Sequence, residues 1–422
     1  MTAGLNIIEV TGREIFDGTG NLTIEAEVIL ENGAHGRAAA PSDGITDVNG
    51  ASDFINYCLS EAILFEDATD QNYIDKLLEE EIGKQDMVDA GVIEVDLKVK
   101  KRAALAVSMA AARAAGAGLH LPLYRYLGGS SVCRLPVPMI HMISGGGKEE
   151  NAADMAEFMV VPVGANSLKE GLYMGAEIYH TLKRILAISG YADSVDEKGG
   201  FRPPVLNSEQ VLQSLIEAIQ VSGYKPGKDV MLAIDAGAGA LYETDNGVYS
   251  FPKESRMRGV TIERDSRDMI SYCLRLIDGF FVCYLEDVLW ENDWEGYGQM
   301  NKVLGNRCVL AGDDLFHSDA ERIAEGGRKQ AVNGAVIHMS QAGTVTKTIE
   351  AVDQAKRQGL KTILSFCSGE TEDMFLSDIA AALSVDYIKI GAPSRGEYTA
   401  KYNELLRIEE IFGKNRSVST KI

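Results

Sequence analysis

The chain is short of basic residues. Lysine and arginine number 41 against 62 aspartates and glutamates, a formal net charge of −21 over 422 residues. Such a surface repels polyanions, which excludes nucleic acid as a main partner and favours a soluble, self-repelling protein. Long apolar runs are also missing. None approaches the roughly 20 residues needed to span a bilayer, so no membrane partner is expected. The opening MTAGLNIIEVTGRE has no basic segment backed by an apolar one, so no secretory leader is expected. Cysteine is sparse. Cys58, Cys133, Cys273, Cys283, Cys308 and Cys367 are scattered with no CxxC pair, and they read as reduced cytoplasmic thiols rather than a disulfide frame. The glycine-rich stretches at 145–147 and 236–240 have neither P-loop nor dinucleotide-binding spacing. There is no internal repeat and no low-complexity tract.

What the chain does have is a set of acids at the ends of short apolar runs. Asp235 ends MLAID, Glu286 ends FVCYLE and Asp313 sits in CVLAGDD. Each run is rich in Val, Ile and Leu and precedes a helical stretch, as a buried parallel strand of a βα unit would. In a (β/α)₈ barrel the C-terminal ends of the strands converge on one mouth. Three acids meeting there cannot all stay ionised without a cation, and a hard divalent ion such as Mg²⁺ suits oxygen ligands. The plain alternative is three solvated loop acids.

The hydrophobic content of 45% is that of an ordinary globular protein. Residues 1 to about 50 read as strand, turn, strand, loop, with IIEVTGREIF and TIEAEVILEN split by DGTGN. Helical spacing follows in ASDFINYCLSEAILF, YIDKLLEEEIG and KKRAALAVSMAAARAAGAG. Residues 1–130 are therefore expected to form an α+β unit. From 131 to 422 strands and helices alternate, with strands expected at 137–143, 157–164, 231–236, 281–287, 307–313, 335–340, 361–367 and 387–391. That number suggests a closed barrel. No convincing helix separates the first two, so the barrel is expected to begin with a hairpin.

GREIFDGTGNLTIEAEV, LPVPMIHMISGG, EFMVVPVGA, LAIDAGA, YLEDVLWENDW, GDDLF, SGETED and AKYNELLRIEE follow one another along nearly the whole chain. In this order and spacing they resemble the landmarks of the enolase family. The resemblance implies an α/β fold: an N-terminal α+β capping domain, 1–130, on a modified (β/α)₈ barrel, 131–422. It implies Mg²⁺ on Asp235, Glu286 and Asp313. It also implies a cytoplasmic homo-oligomer, dimer or octamer, acting on a small carboxylate; enolases dehydrate 2-phosphoglycerate to phosphoenolpyruvate.

The acid–base equipment departs from the family pattern. Where the family has the lysine that abstracts the α-proton, AVIHMSQAG places His338. Counted without gaps, the family's loop glutamate is Lys198; a one-residue bulge would give that place to Glu197. Lys148 stands for the histidine of the GGxH loop. The His-Arg pair of the family's SHRSGETED reads Phe366 and Cys367. Ile45 replaces a metal-binding serine of the mobile loop, and Thr19 an arginine of the opening turn. Glu157, Gln341, Ser368 and Lys389 remain. Each lost acid or base is worth roughly 10²–10⁴ in rate, which argues against ordinary 2-phosphoglycerate turnover.

The replacements can nevertheless carry protons. Lys198, beside a metal site, is expected to have a lowered pKa, and His338 to titrate near neutrality. Cys367, with no base evident beside it, reads as a small apolar filler. The resulting reading is a Mg²⁺-dependent lyase of the enolase type acting through an enolate. Lys198, His338 and Glu157 would do the proton chemistry, and Lys389, Ser368, Gln341 and Lys148 would bind substrate. The alternatives are a true phosphopyruvate hydratase and a catalytically silent binding homologue.

Overall fold

The computed structural model describes residues 4–412, apart from 46, 85–86, 89–90, 93–94, 132–133, 147–152, 192–193 and 205–206. Strands β1 (Ile7–Phe16) and β2 (Leu22–Leu30) form the expected antiparallel pair, with Phe16 opposite Leu22. Asp17 makes the turn, its Oδ1 accepting the backbone N–H groups of Thr19 and Asn21 at 2.8 and 2.9 Å. The expected loop beyond β2 contains a third strand, β3 (His35–Ala39). HGRAA has no apolar alternation to announce it; pairing with β2 makes it a strand. Its Gly36 is required by packing, because a Cβ there would lie 2.2 Å from the carbonyl of Ala110. That carbonyl belongs to α1 (Leu97–Gly118), an alanine-rich helix lying on the sheet.

Eight strands close the barrel: β4 (Val137–Ser144), β5 (Glu157–Val161), β6 (Met231–Asp235), β7 (Val282–Glu286), β8 (Val309–Gly312), β9 (Gly334–Ile337), β10 (Lys361–Ser365) and β11 (Tyr387–Gly391). Around the ring they run β7-β8-β9-β10-β11-β4-β5-β6. The barrel begins with a hairpin, as its missing first helix suggested. Strand β5 is antiparallel to both β4 and β6, and the remaining pairs are parallel. Reversing one strand has a chemical consequence. The first residue of β5, rather than its last, stands at the mouth where the other strands end. The strand expected at 335–340 stops at Ile337, because Met339–Ala342 turn into a short helix.

Buried acids join cap and barrel. Helix α2 (Val345–Arg357) opens with donors that have no partner within the helix. Cap residues satisfy two of them: Ser108 accepts from Val345 N at 3.0 Å and Asp75 from Thr346 N at 2.8 Å. Asp373 accepts the Arg113 guanidinium through both oxygens, at 2.6 and 2.8 Å, and also the backbone N–H of Ala39. No helix among the described residues is long and apolar enough to cross a membrane.

Asp378, buried in the same region, has no such bidentate partner. Burial pushes its carboxyl up to about 7; Arg113 pulls it down and Glu404 adds to the rise. A folded-state value above the unfolded one means stability present at low pH that is lost as pH rises through 4 to 7. Asp378→Asn is expected to gain stability over the parent at pH 8, by at most about 4 kcal/mol at 1.36 kcal/mol per pH unit, and to gain none at pH 3.5. Urea unfolding at both pH values measures the difference; equal gains at the two would refute the assignment.

Candidate active site

The three strand-end acids arrive on adjacent strands. Asp235 ends β6, Glu286 ends β7 and Asp313 follows β8 directly. The register sets Glu286 beside Asp235. Glu157 opens the reversed strand β5 and pairs with Asp235 on the other side. Lys389 lies on β11, directly across the ring from β7. His338 follows β9, and Phe366, Cys367 and Ser368 follow β10. Lys198 comes from the loop between the two helices that follow β5, Leu168–Ile188 and Ser208–Val221, and its turn is built by Asp196 accepting the N–H groups of Lys198 and Gly200. All of these side chains except the buried Glu286 line a cavity of about 200 Å³, to which Asp43, Gln341 and Ser365 also contribute. A larger hollow of about 670 Å³ shares Gln341 but holds none of the strand-end acids, so size does not locate the chemistry.

Lys389 is the electrostatic centre. Its Nζ lies 2.7 Å from Glu286 Oε1, 3.1 Å from Asp235 Oδ2 and 3.7 Å from Glu157 Oε2. Burial works against its charge, but Glu157 and Glu286 hold it well above the ordinary lysine value. Glu286 is completely buried and accepts Tyr284 Oη at 2.5 Å. Burial, then the charge of Asp235, raises its carboxyl well above the usual range despite Lys389. Glu157 takes Lys198 Nζ at 2.6 Å, and the two lysines hold its carboxyl well below the usual range against the effect of burial.

Two expectations about proton affinity are corrected here. The charge of Glu157 raises Lys198 instead of letting it fall. His338 is not left at its ordinary value. Burial works downward, but Asp313, whose Oδ2 lies 2.7 Å from Nε2, lifts it well above its ordinary value. The first expectation placed Lys198 beside a bare cation, and the second left His338 at its ordinary value. The structure places each beside a carboxylate.

The filler reading of Cys367 is corrected as well. Its Sγ lies 3.4 Å from His338 Nδ1 and 2.6 Å from Ser340 Oγ, so an imidazole and a hydroxyl stand beside it. A residue 29 positions away in sequence supplies that imidazole, which no local pattern signals. Lys198 reaches the cavity, whereas Glu197 is exposed with Oε1 3.3 Å from Ser368 Oγ. Gln341 accepts from Ser318 Oγ at 2.7 Å. Phe366 is buried edge-on against Tyr398, with centroids 5.4 Å apart. Ile45 packs against the core, and Thr19 bonds to Asp17 in its turn. Lys148 lies outside the described residues.

Sequence reasoning missed Asp287 and Asp43. Asp287 is buried, and its two oxygens each accept a backbone N–H, from Asp313 and Asp314, at 2.9 Å. It therefore fixes the turn that presents Asp313. Its only signal was its place beside Glu286 in YLED. Asp43 reaches the cavity from the loop before the first cap helix.

The site fits a hard cation in chemistry, without being a finished cage. Carboxylate oxygens dominate the mouth, and Asp313 Oδ1 is buried with no hydrogen-bond partner. As the side chains stand, no group of three acid, histidine or cysteine ligands among the described residues is poised to hold a metal. Lys389 and His338 occupy the facing oxygens instead.

Comparison with known families gives two matches that together span the chain. A family model described as "Enolase, N-terminal domain" matches residues 7–127. One described as "Enolase, C-terminal TIM barrel domain" matches residues 132–421.

Lys389→Met leaves its carboxylates facing one another without a counter-charge. Removing one partner of a buried pair typically costs about 3–5 kcal/mol, and that loss is expected in chemical unfolding. An unchanged unfolding midpoint would show that the acids do not depend on this charge.

Proposed function

The chain belongs to the enolase family, and from that premise we propose that it is a Mg²⁺-dependent lyase. It would remove the α-proton of a small carboxylate and pass through an enolate to a dehydrated product. The observation that carries this reading is the distribution of groups around the barrel. Acids occupy three contiguous strands, while the two proton carriers stand on opposite walls. Lys198 is bound to Glu157 on β5 and His338 follows β9, which lie diametrically across the ring. An elimination in which proton and leaving group depart from opposite faces needs one group on each side.

Asp235, Glu286 and Asp313 would hold the ion, which when bound offsets the charge that builds on a carboxylate as its α-proton leaves. Glu157 can exchange a proton with Lys198 across 2.6 Å. Lys389, with Ser368 and Gln341, would position the substrate, and Lys148 is proposed as a further contact. Residues 1–130 would cap the barrel formed by 131–422. The same premise supports a cytoplasmic homo-oligomer. Ordinary 2-phosphoglycerate turnover is not part of the reading, because Phe366 and Cys367 stand where the family's His-Arg pair is implied. A second reading, a silent binding homologue, is favoured by one observation: Lys198, His338 and Lys389 are all ion-paired.

Two measurements test this. Mg²⁺ at 100 times its Kd is expected to stabilise the protein by about 2.7 kcal/mol, and Asp313→Asn to abolish that gain. Undiminished calorimetric Mg²⁺ binding in the variant would remove Asp313 from the ligand set. Second, NMR in D₂O over a panel of small 2-hydroxy acids should find Mg²⁺-dependent α-proton exchange. Lys198→Ala and His338→Ala should each slow it, by ~10²–10⁴ for the acting base. Exchange that survives in the double variant, or appears with no acid in the panel, would favour the silent homologue.

A further inference from the structure

Arg102 is a buried cation that the proposed chemistry does not use. It projects from α1 with a relative exposure of 3%. One terminal nitrogen, Nη1, donates to the carbonyl of Ser340. The other, Nη2, donates to Asp43 Oδ2. Its Nε is buried and has no hydrogen-bond partner. Nε and Nη2 form the side-on edge of a guanidinium, the fork that a carboxylate or phosphate takes with two oxygens. Asp43 takes only half of that fork.

We propose that Arg102, which stands behind the cavity-lining Asp43, is an oxyanion-binding residue, held in this structure by the Asp43 carboxylate, which an anionic group of the ligand displaces. The proposal names what would grip the charged end of the substrate, and it rests on the functional reading only for the choice of cavity.

A buried guanidinium without an anion is costly, so Arg102 needs a negative partner in every state. Asp43 supplies one from a loop, with its side chain 35% exposed. It also makes the cavity wall more negative, adding to Glu157, Asp235 and Asp313. An anionic ligand entering beside Asp43 meets like charge. Exchange removes that conflict. The ligand oxyanion takes over the guanidinium, and the partly solvated Asp43 carboxylate moves towards water and Lys98, whose Nζ is already 3.9 Å away. No buried charge is left alone in either state.

The loop is suited to hold Asp43 in place while its side chain moves. Ser42 N donates to Gly369 O at 2.9 Å and Asp43 N to Ser368 O at 3.2 Å, which stitches the segment to the turn carrying Cys367 and Ser368. Asp43 itself has φ +26°, a left-handed conformation that Asp and Asn tolerate better than most residues. Asn at this position therefore keeps the backbone and removes the charge.

Calorimetric titration with inorganic phosphate and with acetate tests the proposal without Mg²⁺ and without turnover, so failure of the lyase reading leaves the result interpretable. Asp43→Asn is expected to bind at least one of these anions about 10-fold more tightly than the parent, as a freed charge-assisted fork allows. The anion that gains identifies the group as phosphoryl-like or carboxylate-like. Adding Arg102→Gln should return the affinity to the parental level. Should that variant fail to fold by circular dichroism, Arg102→Lys, which keeps the charge and loses the fork, should lose most of the gain. The proposal is overturned if Asp43→Asn tightens neither anion. It is equally overturned if the gain persists in a folded Arg102 variant, because charge removal alone would then explain it.

Discussion

A surplus of carboxylate gathered at one end of a closed barrel is the constraint on which the rest of the site depends. Asp235, Glu286, Asp287 and Asp313 come from neighbouring strands, and each intensifies the field at the others. Burial removes the water that would otherwise screen them. The chain answers with cations in direct contact with acids of the site: Lys389 at 2.7 Å from Glu286, Lys198 at 2.6 Å from Glu157, His338 at 2.7 Å from Asp313. Fixed charges of both signs therefore surround a cavity of about 200 Å³. A small ligand entering it meets these charges in place of water.

The reversed strand is the topological device that completes this field. In an all-parallel barrel the first residue of a strand lies at the bottom. Turning β5 over brings Glu157 to the mouth, between Ser144 and Asp235 in register. There it anchors two lysines at once, at 2.6 and 3.7 Å. The cap contributes in a different way. Asp75 and Ser108 satisfy the first donors of a barrel helix, so cap and barrel share hydrogen bonds that neither could make alone.

Much of this was legible in the sequence, and the reasons differ residue by residue. Asp235, Glu286 and Asp313 were readable because a buried parallel strand has a composition that ends abruptly at its polar terminus. The hairpin start was readable from a missing helix. Strand β3 was not, since HGRAA owes its conformation to β2 rather than to its own pattern. Contacts between residues far apart in the sequence were not readable either. Cys367 meets His338, and Arg102 meets Asp43, over separations that no local spacing encodes. The protonation preferences of Lys198 and His338 went astray for the same reason. Each depends on one carboxylate contact that a sequence does not display.

Replacing Lys198 or His338 with a small apolar residue would strand Glu157 or Asp313 as a buried, less compensated charge, typically at about 3–5 kcal/mol. Stability alone would therefore retain a cation at both places, whether or not a proton is ever transferred. The presence of Lys198 and His338 is thus weak support for catalysis. Their placement follows the two carboxylates they compensate, Glu157 on β5 and Asp313 after β8, and brings both within reach of the same small cavity. One geometry thus serves charge compensation and two-sided proton chemistry alike.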